Sequence, residues 1–182
     1  MTQPIRLSSL VAAPAAGFEE PFEMLEACHE RIHRMLVLLA RLRAHLAVHG
    51  ADSQAQQAAR DVLRYFDQAA PQHHRDEELH VFPPLLAAGE PRVAAIVQQL
   101  LRDHAQMEAR WQPARERLLR FAVGRLGTLQ ADVDAALDAF GGLHADHLRA
   151  EEEIAYPAAR STLDATAQRT MGEEMMRRRG VK

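Results

Sequence analysis

The chain has a single cysteine, Cys28, among 182 residues. That excludes an internal disulfide framework and fits a reducing compartment. Aromatic residues make up only 5%, β-branched residues are sparse, and no stretch alternates with the period of a strand. A formal net charge of -3 leaves no basic footprint, so nucleic acid is not an expected partner. No run approaches the ~20 apolar residues that a membrane span requires. Residues 10–16 form a short apolar run near the start, but Pro14 interrupts it and Arg6 is the only positive charge before it. This is unlike an export signal, and a cytoplasmic location is expected. What the chain has in abundance is Ala, Leu, Arg, Glu and Gln, the residues of helices, in a length that suits one domain.

Taken in order, residues 1–17 read as an arm with little structure of its own. A first helix is expected from Phe18 or Glu19 to His49, stopped by Gly50, with Phe22, Leu25, Ile32, Leu36 and Leu39 on one face and His29 amid them. A second, capped by Asp52 or Ser53, should run to about Ala88 before Gly89, with a kink at Pro71. The third starts at Pro91 and stops before Gly124, with a possible bend at Pro113; His104 interrupts its stripe of Leu100, Met107 and Trp111. The fourth should run from about Thr128 to Tyr156-Pro157, with Gly141-Gly142 as a soft point. A short amphipathic helix over 161–178 would follow, its Arg177-Arg178-Arg179 end read as a solvated terminus. The expected fold is all-α, an up-down-up-down antiparallel four-helix bundle with a short N-terminal arm and a short C-terminal helix. The divisions are arm 1–17, bundle 18–160 built from hairpins 18–88 and 91–160, and tail 161–182.

The two hairpins repeat each other. His73-His74-Arg75-Asp76-Glu77-Glu78 ends in Phe82-Pro83, and His147-Leu148-Arg149-Ala150-Glu151-Glu152 ends in Tyr156-Pro157. Matching the copies sets His73 on His147, Glu77 on Glu151, Phe82 on Tyr156 and His29 on His104, but sets His74 on Leu148. His73 and Glu77 are therefore the working pair, and His74, with His45 and His49, reads as surface. Residues four apart share a helix face, so each His-x-x-x-Glu can reach one centre. Burying His29, His73, Glu77, His104, His147 and Glu151 without partners would cost roughly 1–3 kcal/mol for each polar group and more for a charge. Two cations would remove that cost, each held by imidazoles from two helices and bridged by Glu77 and Glu151. Imidazole with carboxylate suits iron, manganese or zinc, and a redox role favours iron. The Glu-x-x-His of ferritin-like sites has a different spacing.

In this order the motifs resemble the hemerythrin family, specifically the bacterial His-His-Glu (HHE) cation-binding domains, over about residues 22–158. The resemblance implies a four-helix bundle and a centre of two non-haem iron ions with an oxo or hydroxo bridge, which zinc or manganese can replace. It also implies dioxygen or another small ligand as partner, in sensing, storage or iron handling. Alternatives are an oxidase, a peroxidase or an iron-donor repair protein on the same scaffold, and a zinc-filled structural or regulatory bundle. Oxygen-carrying members place a second histidine four residues after that of the third helix, where this chain has Glu108. Glu108 is expected to complete the ligand set, with His33, its counterpart on the first helix, or His144 as alternatives. His144, one turn before His147, reads as a cavity residue. Glu78 and Glu152 read as outward-facing, and His80 as packing.

Overall fold

A computed structural model describes residues 17–181, so the arm expected over 1–17 lies almost wholly outside the described residues. Among these residues every regular element is helical: α1 (Pro21–His49), α2 (Ser53–Asp76), α3 (Phe82–Ala88), α4 (Pro91–Ala122), α5 (Ala131–Gly141), α6 (His144–Ala150), α7 (Tyr156–Thr162) and α8 (Ala165–Arg178). Two five-residue π-helical turns, Glu77–Val81 and Glu151–Ala155, join α2 to α3 and α6 to α7.

The stop signals act where the sequence placed them. Gly50, Gly89 and Gly124 all adopt positive φ after α1, α3 and α4. At Gly50 the approach is also close, since an added Cβ would stand 2.7 Å from the Gly127 carbonyl oxygen. The Asp52 side chain accepts from the Ala55 N–H at 2.9 Å and caps α2. Pro91 takes the first turn of α4 and the Glu90 carboxylate accepts from Val93 N–H at 2.6 Å. The helical backbone continues through Pro71 and Pro113.

Two expectations need correcting. The fourth helix does not end at Tyr156-Pro157 but continues to Thr162. Pro157 stands in the first turn of α7, directly after a π-helical turn that makes room for its ring. The terminal helix also starts later, at Ala165, because Asp164 caps it by accepting from Ala167 N–H at 2.8 Å. The Gly141-Gly142 pair does break the helix, between α5 and α6.

Packing closes a ring of neighbours: α1 on α2, α2 on α4, α4 on α5, and α5 on α1, with α3 against both α4 and α7. The apolar core is divided. One cluster holds Leu42, Val62, Phe66, Trp111, Phe121 and Phe140; the other holds Phe22, Leu25, Val81, Phe82, Leu100 and Tyr156. Along each long helical stretch a buried polar residue falls between the two, namely His29, His73 with Glu77, His104, and His147 with Glu151. Hydrophobic burial on both sides thus forces the polar layer away from water.

Helix α8 caps the second cluster with Met171 and Met175, both buried. The basic end read as solvated is instead a clamp. Arg178 donates to Asp76 Oδ1 at 2.6 Å and Arg179 to Asp76 Oδ2 at 2.5 Å, and Asp76 is fully buried. His80, expected as packing, bonds Glu174 of α8 at 2.7 Å.

Candidate metal centre

Four helical stretches, two of them continued by a π-helical turn, deliver the polar layer. His29 comes from α1, His73 from α2 with Glu77 opening the first π-helical turn, His104 from α4, and His147 from α6 with Glu151 opening the second. Both glutamates are fully buried. The wide turns follow from the sequence: Pro83 and Pro157 lack the N–H that would close an α turn, and their rings need room against the carbonyl four residues back. The turn closes instead through Phe82 N–H to the Glu77 carbonyl and Tyr156 N–H to the Glu151 carbonyl. Such turns are frequent at functional sites.

Each carboxylate is shared between two groups of imidazoles. Glu77 Oε1 lies 3.6 Å from His73 Nε2 and 3.9 Å from His29 Nε2, while its Oε2 lies 3.5 Å from His104 Nε2. Glu151 Oε2 lies 3.2 Å from His29 Nε2, and its Oε1 lies 3.0 Å from His147 Nε2 and 3.7 Å from His104 Nε2. Few of these contacts are aligned as hydrogen bonds: His73 Nε2, His104 Nε2, His147 Nε2, Glu77 Oε2 and both Glu151 oxygens are buried without a hydrogen-bond partner. At roughly 1–3 kcal/mol for each unsatisfied group, the centre is costly as bare protein. A cation fits the donor set because it would satisfy these atoms together.

The outer nitrogens are held as well. His29 Nδ1–H donates to Glu152 Oε1 at 2.8 Å, and His104 Nδ1–H to Glu78 Oε1 at 3.0 Å. Glu78 and Glu152, expected to face outward, thus orient the imidazole of the opposite hairpin and leave each Nε2 aimed at the centre. A carboxylate behind the imidazole fixes its tautomer and raises its basicity as a ligand.

The electrostatics turn on burial against partners. Burial and the charge of Glu151 raise the pKa of Glu77. For Glu151 burial is outweighed by His104, His147 and His29, and its pKa falls well below the usual carboxylate range. Burial opposes protonation of His29 and His104, yet Glu151 and Glu77 lift the first to about 10, and Glu151 and Glu78 lift the second to about 10. Burial, with His29 for His73 and His104 for His74, holds those two well below the ordinary imidazole value. Protons on His29 and His104 thus supply the positive charge that a cation would bring.

Two sets of donor atoms lie within 4.8 Å of one another: His29, His73, Glu77 and Glu151 in one, His74, His104 and His147 in the other. His74 corrects the reading of it as a surface residue: it is half-buried and its ring stacks on His104 with centroids 4.0 Å apart. The repeat hid it, because its counterpart Leu148 carries no donor. The structure places Glu108 in neither set. It is exposed and lines the outer part of a cavity, since His104, Met107 and Trp111 occupy the inward stripe of α4. His33 is exposed.

That cavity, of about 430 Å³, lies between α2 and α4 and is walled by Ile32, Phe66, Met107, Trp111 and Phe140, with His74, His104 and His144 as its inner polar groups. His144 is buried between Phe66 and Phe140, with Nδ1 unpartnered. Burial pulls its pKa down to about 4. Cys28 is buried and its thiol pushed up to about 11, which makes it an inert core residue.

An all-helical protein whose divided core holds histidine and glutamate clusters able to bind metal belongs with the helical cation-binding proteins. The family profile of the hemerythrin HHE cation-binding domain matches residues 20–159, and the chain belongs to that family. It is also 31% identical over 168 residues to an uncharacterized protein of Haemophilus influenzae, covering 92% of this chain and 94% of the relative. No helix among the described residues is long and apolar enough to cross a membrane.

Proposed function

We propose that the chain is an up-down-up-down four-helix protein that binds two iron ions and admits dioxygen or a related small ligand to them, in sensing, storage or iron handling. His29 and His73 would hold one ion and His104 and His147 the other, with Glu77 and Glu151 between them. His74 would give the second ion a third imidazole, in the place expected of Glu108. The observation that carries this reading is the division of both carboxylates, one oxygen toward each imidazole group. Iron bound there supplies redox chemistry and a position for a small ligand. The protein's own part is to orient the imidazoles through Glu78 and Glu152 and to flank the centre with two apolar compartments.

His144 supports a second reading, an oxidase or peroxidase. It is a titratable group aimed into a cavity of about 430 Å³, far more than a diatomic ligand fills and in the range of small-molecule sites. Metal analysis of protein purified without added zinc, with absorption spectra of the reduced form before and after air, tests both. Two irons and a reversible spectral change support ligand binding, and turnover of hydrogen peroxide supports the enzyme. Zinc at full occupancy with no spectral response would refute both.

A further inference from the structure

The hydroxyl of Tyr156 ends inside the donor set. The side chain is buried, and its Oη lies 2.5 Å from Glu77 Oε1 and 2.9 Å from His29 Nε2. Protein nitrogen and oxygen donors bind transition metals at about 2.0–2.2 Å. Two such donors at right angles therefore stand about 3 Å apart, close to the spacing of Tyr156 from His29.

Hydrogen bonding accounts for both contacts only with a positive charge beside the hydroxyl. His29 commits Nδ1–H to Glu152, and in the metal-free protein its ring is also protonated at Nε2, so that N–H donates to the Tyr156 oxygen while the phenol gives its one proton to Glu77. The contact with His29 therefore rests on a positive charge between the two atoms, a proton in the metal-free protein, and a metal ion bound there would take that proton's place. The repeat supplies a control. Phe82, the counterpart of Tyr156, packs its ring on His104 with centroids 5.6 Å apart, as Tyr156 packs on His29 at 5.1 Å. The ring contact is met without a hydroxyl in one half, so packing does not explain the hydroxyl in the other.

Building on the metal-binding reading above, we propose that Tyr156 is a phenolate ligand of the cation held by His29 and His73. The ion takes the place of the hydroxyl proton and of the proton on His29 Nε2, both of which leave to solvent. The two metal positions are then chemically unequal, a hard anionic oxygen on one side and the extra imidazole of His74 on the other. The phenolate favours the trivalent state of the first ion.

The chain has only two tyrosines, and the other, Tyr65, donates to the Cys28 carbonyl at 3.2 Å. Protein loaded with ferric iron is expected to show a visible phenolate-to-iron charge-transfer band, with phenolate ring modes enhanced in resonance Raman spectra. Tyr65→Phe should keep the band and Tyr156→Phe should abolish it. If Tyr156→Phe does not fold, the wild type and Tyr65→Phe still assign the band to Tyr156 by elimination. Two bound irons without the band, or a band that survives Tyr156→Phe or vanishes in folded, iron-loaded Tyr65→Phe, overturns the ligand assignment and leaves the metal centre standing. Failure to bind iron at all overturns both.

Discussion

Replacing Arg178 and Arg179 together with alanine strands Asp76 inside the protein. Asp76 is fully buried, and it accepts from Arg178 at 2.6 Å and from Arg179 at 2.5 and 3.1 Å. Removing one side of a buried ion pair costs about 3–5 kcal/mol, because the remaining charge has lost both water and partner. The arginine side chains are about a fifth exposed, so water can follow them inward and the lower end, about 3 kcal/mol, is expected. For a domain of this size each kcal/mol moves Tm by about 2–4 °C, giving a fall of roughly 6–12 °C. Thermal and urea denaturation of the metal-free protein, followed by circular dichroism, would measure it. Arg64→Ala is the control: its pair with Asp61 lies on the surface, and such pairs contribute about 0–1 kcal/mol. A double variant that loses no more than this control would refute the clamp.

The other expectations concern the centre. Glu77→Ala or Glu151→Ala should abolish binding of the metal pair by elemental analysis, whereas His74→Ala should reduce occupancy at the second position only; full occupancy in His74→Ala would return that residue to a bystander. Glu152→Ala should lower metal affinity about 10–100-fold, the usual effect of removing a carboxylate behind a ligating imidazole, and competition with a chelator would read it. His144, neutral in the fold down to about pH 4 but protonating near 6.5 when unfolded, contributes a pH-dependent share. The unfolded chain binds more protons between those values, so stability is full above about pH 6.5 and fades as pH falls toward 4, by up to roughly 3 kcal/mol. The stability of wild type relative to His144→Leu should therefore fall from pH 7 to pH 4.5, and a constant difference would contradict the assignment.

The repeat made most of the centre legible, because a doubled His-x-x-x-Glu fixes which of several histidines turn inward. It also misled where the halves differ. The match to Leu148 hides the donor on His74, and the match of Tyr156 to Phe82 as aromatics hides that only one has a hydroxyl. The doubled Glu-Glu in both hairpins was an available sign of Glu78 and Glu152, but their bonds to His104 and His29 cross between hairpins, and periodicity within one helix cannot express that. The basic terminus is illegible for a similar reason: Asp76 sits far from it in sequence, and a charged helix end is ordinarily solvated. Glu108 has the right spacing from His104, but the neighbouring Met107 and Trp111 hold the inward face.

The π-helical turns at Glu77 and Glu151 also limit how far the motif can be transplanted. Each inserts an extra residue into the helical register, so everything after it is rotated by about 100° relative to an uninterrupted α-helix. A designer who grafts His-x-x-x-Glu onto two straight rods would carry over the imidazole and the carboxylate but aim Phe82, Tyr156 and the residues beyond them at the wrong neighbours. Deleting a single residue from either turn should do comparable damage to the native protein, whereas substitutions, which leave chain length unchanged, cannot reproduce it.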